Sequence, residues 1–229
     1  DSDPSQVWIS RFDPASETWS TNVLLPYTSV AGPPAIAAFN GVLRFIGTTP
    51  GTFHMWTATM TASESFSAMT SLPGHDSASR PSAAVFLGQL YFVHRHGQTG
   101  NLVVGSFTGS SWTAPQFIPA AGGAAISGLE VGLAADAGFL HLVHRRTTTN
   151  NVWWTYFDGC GWSTELTIGT LASSYGPSLT QGGPGLVMTV ASDVTWNGII
   201  ESRAVNLVKY THPWSPFPPQ PPICGVILQ

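Results

Sequence analysis

A segment of roughly 48 residues recurs along this 229-residue chain, and no other feature restricts its possible folds as much. Trp8, Trp56, Val103 and Trp153 occupy equivalent positions in successive copies and lie 48, 47 and 50 residues apart. Spacings of this size are typical of β-propellers, in which each repeat supplies four strands. Helical periodicity is absent, and Gly, Pro, Ser and Asn interrupt the chain between the apolar stretches, as expected for short strands joined by turns.

Each repeat predicts four strands in the same order. The first is apolar and is found at Val7–Phe12, Met55–Met60, Leu102–Phe107 and Val152–Phe157. The second begins with an aromatic residue followed by Ser or Thr, at Trp19-Ser20, Phe66-Ser67, Trp112-Thr113 and Trp162-Ser163. The third follows a proline, at Pro34–Phe39, Pro81–Phe86 and Pro177–Gln181. The fourth leaves a tight turn, at Val42–Ile46, Gln89–Val93, Phe139–Val143 and Gly185–Val190.

The C-terminal part of the chain follows the repeat less closely. Gly198–Ala204 and Asn206–His212 take the places of the first two strands, and Pro213–Pro222 is a connector. PICGVIL (Pro222–Leu228) aligns with PSAAVFL in the second repeat. The alignment predicts an all-β fold, a five-bladed propeller of four-stranded antiparallel blades, as a single domain over residues 1–229.

Closure of the predicted ring depends on both ends of the chain. A blade that begins with the third strand of one repeat ends with the second strand of the next, so the strands at Val7–Phe12 and Glu17–Leu24 must pair with Ile223–Leu228. Such closure removes exposed sheet edges, which invite aggregation. Four blades with an appended hairpin are the alternative.

Composition excludes several classes of protein. Charged residues make up 9% of the chain, the net charge is −4 and Lys209 is the only lysine, so no nucleic-acid partner is expected. No apolar run approaches the ~20 residues of a membrane span, and no signal peptide is visible, which leaves a secreted or a cytoplasmic location open. Cys160 falls in a turn and Cys224 in an inner strand, so we expect them not to pair. No ligand spacing predicts a metal, and no cofactor is expected.

Polar residues repeat at one face of the predicted ring. Two fourth strands end in a His-Arg pair, each pair is followed after a short loop by an asparagine, and a connector between blades carries His-Asp. Several tryptophans begin strands at the same rim. Polar donors and acceptors beside aromatic rings suit a neutral ligand rich in hydroxyl groups. The predicted ligand-binding residues are His94, Arg95, Asn101, His144, Arg145, Asn151, His75, Asp76, Trp56, Trp153, Trp154 and Trp196.

An architectural role is the alternative for the same residues. The His-Arg pairs would then bind backbone carbonyls of the next blade, the tryptophans would pack between blades, and His75-Asp76 would shape a turn. Because side chains alternate along a strand, only one of Trp153 and Trp154 can point into a given crevice between blades.

The repeats resemble those of propeller lectins of the tectonin and tachylectin type, and of fungal and bacterial lectins that bind fucose or N-acetylglucosamine. The likeness is carried by TYFDGCGWS (Thr155–Ser163), SASRPSAAVFLGQLYFVHR (Ser77–Arg95) and FLHLVHRR (Phe139–Arg146). It implies a multivalent lectin without catalytic activity, with shallow sugar sites between blades and glycans as partners. The first and fourth repeats depart from the pattern, which leaves two or three sites. Homo-oligomerisation is left open.

Two other functions remain as alternatives. Propellers also bind peptides or proteins at the same rim, and the sequence barely separates this from sugar binding. Propellers also include glycosidases, but the spacing from Asp13 to Trp19 and from Asp158 to Trp162 does not fit a sialidase Asp-box. No two carboxylates form an evident pair, so hydrolysis is expected least.

Overall fold

The computed structural model describes residues 6–26, 30–120, 123–124, 127, 130–136, 138–146, 149–181, 185–196 and 199–210. Throughout these residues the regular structure consists of antiparallel strands joined by turns. Within these residues no helix is long and apolar enough to cross a bilayer.

Twenty-one strands, numbered in chain order, form an N-terminal hairpin, four blades and one short hairpin. The N-terminal hairpin contains β1 (Trp8–Ile9), β2 (Phe12–Asp13), β3 (Thr18–Trp19) and β4 (Val23–Leu24). Blade I contains β5 (Ala35–Phe39), β6 (Val42–Thr48), β7 (His54–Met60) and β8 (Thr70–Asp76). Blade II contains β9 (Ser82–Phe86), β10 (Gln89–Arg95), β11 (Leu102–Phe107) and β12 (Gln116–Phe117).

The remaining strands follow a short hairpin of β13 (Pro119–Ala120) and β14 (Gly123–Ala124). Blade III contains β15 (Val131–Asp136), β16 (Phe139–Arg145), β17 (Asn151–Phe157) and β18 (Leu166–Ala172). Blade IV contains β19 (Ser178–Gln181), β20 (Leu186–Trp196) and β21 (Ile199–Tyr210). The last two strands are the longest in the described chain, and their hairpin continues beyond the point where β6, β10 and β16 end.

The blades follow one another round a common axis, so the fold is a β-propeller, as predicted. The first strands of the blades, β5, β9, β15 and β19, lie at the inner edges of their sheets and contact one another in that order. The N-terminal hairpin packs against blade I, where Val7 and Ile9 contact the cluster around Phe45. The strand predicted to close the ring, Ile223–Leu228, lies outside the described residues, as does the connector Pro213–Pro222.

Two details of the strand prediction differ from the structure. The inner strand of blade III, β15, was not located because VGLAAD lacks the leading proline of its counterparts. The separate strands predicted at Gly198–Ala204 and Asn206–His212 form one continuous strand, β21. Pairing along the full length of β20 removes the need for a turn between them.

Apolar clusters between neighbouring blades form the core. Phe86, Val93 and Leu102 of blade II pack with Leu140 and Leu142 of blade III. A second cluster joins blades I and II and a third joins blades III and IV. Each fully buried side chain of this size contributes about 1.5–3 kcal/mol by leaving water, so the blades are held by their joints as much as by strand pairing.

The prediction that the cysteines do not pair is wrong for Cys160, which is disulfide-bonded. The chain has one other cysteine, Cys224, which lies outside the described residues. Cys160 lies in the exposed turn that follows β17 and leads to Trp162, which pairs with Phe157 in an isolated β-bridge. In this turn the carboxylate of Asp158 accepts the backbone N–H of Cys160 at 2.7 Å.

Candidate functional site at the upper end of the channel

The two faces of the propeller differ in what they carry. The inner strands begin at the face that we call upper, where β6, β10 and β16 end, and finish in the tight turns of the lower face. Asn40-Gly41 is such a lower turn, with φ of 51° and 76°, the left-handed conformation that Asn and Gly adopt most readily. The predicted His-Arg pairs lie at the upper face, as expected.

His94 is fully buried at the joint between blades I and II. Its Nε2 lies 3.1 Å from Nδ1 of His75, and Nε2 of His75 lies 3.1 Å from the carbonyl oxygen of Thr113. Because that carbonyl only accepts, His75 donates to it from Nε2 and accepts from His94 at Nδ1. Burial, followed by the charge of His75, lowers the pKa of His94 to about 3. Burial also lowers the pKa of His75. Both rings are 1% exposed or less. Because burial lowers both pKa values, both rings are neutral at pH 7.

His144, the equivalent residue of blade III, is buried against a carboxylate instead. Its Nε2 lies 2.6 Å from Oε1 of Glu165, whose other oxygen pairs with Arg146. The Arg146 guanidinium also lies 3.7 Å above the Trp153 ring. Burial opposes ionisation of Glu165, but the hydrogen bond and charge of His144, then those of Arg146, outweigh it and hold its pKa below the usual value. This group is enclosed, so it has no route to a substrate in this structure.

The two predicted arginines bind the connectors that lead into the next blade. Arg95 donates from Nε to the carbonyl of Ser127 at 2.8 Å. Arg145 donates from Nη1 to Asn150 Oδ1 at 2.7 Å, with the carbonyl of Ser173 at 3.4 Å. These contacts match the architectural alternative for the His-Arg pairs. Ligand binding by these four residues stays a prediction that the geometry does not favour.

A serine in each of three connectors was missed by the sequence analysis. Ser77, Ser127 and Ser173 are 1% exposed or less. The Ser77 hydroxyl contacts the carbonyls of Ser79 and Arg95 at 2.7 and 3.2 Å, and Ser127 contacts the carbonyl of Arg145 at 3.3 Å. The three serines lie four residues before Pro81, Val131 and Pro177, at or just before the start of the next inner strand. This regular spacing is the feature of the sequence that could have identified them.

The remaining predicted polar residues do not converge on one site. Asn101 and Asn151 open or precede a strand, and their carbonyls accept backbone N–H groups that close the preceding loops. Asp76 lies at the upper end of β8 and pairs with the exposed His54, Oδ1 to Nδ1, at 2.7 Å. This pair joins β7 to β8, the two outer strands of blade I, away from the axis.

The tryptophans pack mainly between and within blades. Trp56 is 3% exposed, and its ring lies over Gly47, where an added Cβ would be 2.4 Å from Cζ2. Trp154 packs towards Leu179 and Met188 of blade IV. Trp153, on the other face of β17, lies under Arg146, which confirms that neighbouring tryptophans serve opposite faces. Trp196 ends β20, and the structure does not describe its side chain.

The central channel is the largest concave feature among the cavities with described linings. It has a volume of about 390 Å³ and is lined by the inner strands of all four blades. Alanine is the most frequent lining residue, as at Ala35, Ala84 and Ala134, and its small side chain leaves space along the axis. One edge of each inner strand faces this space, so backbone N–H and C=O groups line the channel together with the side chains.

An ion pair stands at the upper mouth of this channel. Arg80 lies two residues before the inner strand of blade II, and Glu130 lies one residue before that of blade III. Arg80 Nε is 4.0 Å from Glu130 Oε1. Gly176, at the equivalent place before β19, supports the other side of Glu130. A Cβ there would lie 2.7 Å from Glu130 Cβ and 2.9 Å from Oε2. Arg80 packs in the same way against Gly32.

Glu130 is thus a partly exposed carboxylate that lies between Arg80 and Gly176, beside the upper ends of the inner strands. The acid at the other end of β15, Asp136, accepts a hydrogen bond from Gln181 at 3.3 Å and faces the lower end of the channel. Six residues of strand separate the two acids, a distance of roughly 20 Å. Among the described residues there is no cluster of three potential metal ligands.

Comparison with known proteins finds similarity in structure only, since no family model and no curated protein matches the sequence. The GH43_1 enzyme from Xanthomonas citri, complexed with xylotriose, matches with a TM-score of 0.56 and 15% identity over 90% of this chain and 78% of that one. The catalytic domain of a GH62 α-L-arabinofuranosidase from Coprinopsis cinerea matches with a TM-score of 0.53 and 14% identity over 95% and 74%. The Hadza microbial sialidase Hz136 matches with a TM-score of 0.59 and 16% identity over 81% and 41%.

These similarities correct the functional expectations drawn from the repeats. The identification with tectonin and tachylectin-type lectins is wrong, because the similar structures are glycoside hydrolases. The expectation of a lectin without catalytic activity is wrong for the same reason. The repeated motifs hold blades together, so they resemble the repeats of other propellers whatever those propellers bind. What the chain shares with the matched enzymes, at identities of 11–16%, is the β-propeller fold.

Proposed function

We propose that the protein is a carbohydrate-active enzyme that hydrolyses glycosidic bonds at the upper mouth of its channel. The observation that carries this proposal is the position of Glu130, a partly exposed carboxylate between Arg80 and Gly176 at the upper ends of the inner strands. Propeller glycoside hydrolases supply the structural comparison: one is complexed with xylotriose, another with xylose, and a third is an α-L-arabinofuranosidase.

Most glycoside hydrolases use two carboxyl groups. One protonates the departing glycosidic oxygen, and the other either activates the attacking water or attacks the sugar carbon itself. Water finally supplies the hydroxyl group of the released sugar and a proton. The two groups stand about 5–9.5 Å apart, so Asp136, at the far end of the channel, is excluded as the partner of Glu130.

The long hairpin of blade IV offers acids for the second role. Asp193 lies on β20, opposite Arg203 in the strand register, and Glu201 lies on β21 where the register shifts. Both belong to the part of the hairpin that extends past the level of His94 and His144 at the upper face. Asp193 or Glu201 is therefore our candidate for the second carboxyl group.

Hydrolysis can be measured on xylo-oligosaccharides, arabinose-substituted xylan and sialosides, by chromatography of the released sugars. We expect wild-type protein to release sugar from at least one of these substrates. Glu130→Gln, which keeps the shape but removes the ionisable group, should lower kcat at least a hundredfold. Asp193→Asn and Glu201→Gln, assayed separately, identify the second group by an equal loss.

Asp136→Asn is the matched control, because it removes a carboxylate at the lower end of the same strand and should leave kcat unchanged. Melting curves of each variant confirm that the fold is kept. Absence of hydrolysis by folded wild-type protein on the whole panel would refute the enzyme, and full activity in Glu130→Gln would refute the assigned site.

A further inference from the structure

A second concave site lies between blades III and IV, away from the axis. This pocket has a volume of about 250 Å³ and an almost wholly apolar lining. Blade III contributes Val143, Trp154, Leu166, Thr167 and Ile168, and blade IV contributes Leu179, Leu186 and Met188. The only polar side-chain atom in this set besides the indole nitrogen is the hydroxyl of Thr167.

At the corresponding joints elsewhere in the ring, one residue of the second strand reaches across to the next blade. At the joint of blades I and II, the Arg44 guanidinium lies 4.1 Å from the Phe107 ring centroid. At the joint of blades II and III, the Tyr91 ring lies 5.7 Å from that of Phe157, and a cavity of about 130 Å³ remains. Arg44 and Tyr91 are equivalent, since each pairs with an inner-strand alanine.

His141 occupies the same position in blade III but turns towards its own blade. It pairs with the inner Ala134, yet its ring stacks on Trp154 at 5.8 Å and 11°. Trp154 donates from Nε1 to Nδ1 of His141 at 3.1 Å. The side chain that would reach across to blade IV is thereby held back, and the space between the blades stays open.

We propose that this pocket binds a small apolar molecule, an aromatic or branched-alkyl group of about ten non-hydrogen atoms. An apolar cavity of about 150 Å³ is sufficient for benzene, so 250 Å³ accommodates a larger group. The indole N–H of Trp154 already donates a hydrogen bond to His141, so a ligand needs no polar group to satisfy it. The site is independent of the axial carboxylate and of the proposed hydrolysis.

Binding can be followed by NMR of protein labelled with ¹³C at the methionine methyl groups, because the chain has only 4 methionines. Indole and benzene are the probes. Met188 lines the pocket, whereas Met55 lies buried between blades I and II and is the internal control. We expect a saturable shift of the Met188 methyl signal and no shift of the Met55 signal.

Leu166→Asp places a carboxylate at the pocket mouth and is tolerable because Leu166 is 52% exposed. It should weaken probe binding at least tenfold. Leu87→Asp is the matched variant, since it makes the same kind of change at an exposed leucine outside the pocket, and it should bind like wild type. Absence of a saturable Met188 shift, or equal binding by Leu166→Asp, would overturn the proposal.

Discussion

His75 and His94 join blades I and II through a hydrogen bond of 3.1 Å between two buried, neutral imidazoles. His94 has its Nδ1 enclosed without a hydrogen-bond partner, and Phe92 stacks on its ring at 13°. A proton on His75 would disfavour a second proton on His94, whereas the carboxylate of Asp76 favours one, and burial outweighs it. Protonation of either ring would put a charge into a buried joint.

This joint should make the propeller sensitive to acid. The pKa of His94 is about 3 in the folded protein and about 6.5 in the unfolded chain, so the unfolded chain binds more protons between these values. Stability is complete above pH 6.5 and falls as the pH drops, by about 1.4 kcal/mol per pH unit for one such group. Urea unfolding between pH 7 and pH 4 measures this slope.

His94→Phe should flatten the slope, because the replacement cannot take up a proton. His54→Gln removes an imidazole that is exposed and paired with Asp76, so it should retain the wild-type slope. If His94→Phe folds but loses stability in acid as steeply as wild type, the sensitivity originates elsewhere. His75→Phe gives an independent test at the same joint.

The Arg95 and Arg145 side chains should be needed for stability, because each binds a connector carbonyl near a buried serine. Arg95→Ala leaves the Ser127 carbonyl without its donor, which costs about 1–3 kcal/mol and lowers Tm by several degrees in a chain of this length. Arg80→Ala is the comparison, since its partner Glu130 is 4.0 Å away and both are partly exposed. Differential scanning calorimetry measures Tm for both variants, and we expect the larger decrease in Arg95→Ala. Unchanged melting in Arg95→Ala would leave ligand binding as the better explanation of the repeated pair.

Repetition explains which parts of the molecule the sequence could predict. Tight turns and strand order recur because each blade is built from the same antiparallel strands, and the His-Arg pairs recur in blades II and III. The mouth of the channel is different. Its equivalent positions hold Pro33, Arg80, Glu130 and Gly176, so an alignment of repeats shows no pattern there. A site on the axis uses one side chain from each blade, and only the fold brings them together.

The burial of the two histidines in the His-Arg pairs could not be predicted from the repeat either. His94 and His144 occupy equivalent positions, but the first meets His75 from blade I and the second meets Glu165 of its own blade. Both partners come from outer strands or loops whose path the repeat does not fix. The choice between a surface ligand and an internal partner therefore required the positions of neighbouring blades.

Gly47 should be intolerant of substitution. The Trp56 ring lies across it, and a Cβ would approach Cζ2 to 2.4 Å and Cε2 to 2.7 Å, both in a rigid ring. Gly47→Ala must displace a residue that packs with Phe45 in the core, so a loss of about 1–3 kcal/mol or more is expected. Gly161→Ala is the matched control, because nothing lies within 4 Å of its Cβ position and its φ is not positive. Equal stability of the two variants in urea would mean that Trp56 moves without cost.

Leu87 offers the opposite case, a position at which the natural residue is strained. The turn between β9 and β10 places Leu87 at φ 47° and Gly88 at φ 71°, the geometry of Asn40-Gly41 in blade I. The left-handed conformation costs a leucine roughly 1–2 kcal/mol, and asparagine reduces this cost. Leu87 is 59% exposed, so little burial is lost on substitution, although its Cδ1 lies beside Gly159 of the next blade.

Leu87→Asn should therefore raise the free energy of unfolding by up to about 1 kcal/mol. Asn40→Leu, the reverse change in the equivalent turn, should lower it by a similar amount. Chemical denaturation of the two variants gives both values, and a loss in Leu87→Asn would mean that the contact with Gly159 outweighs the strain in the turn.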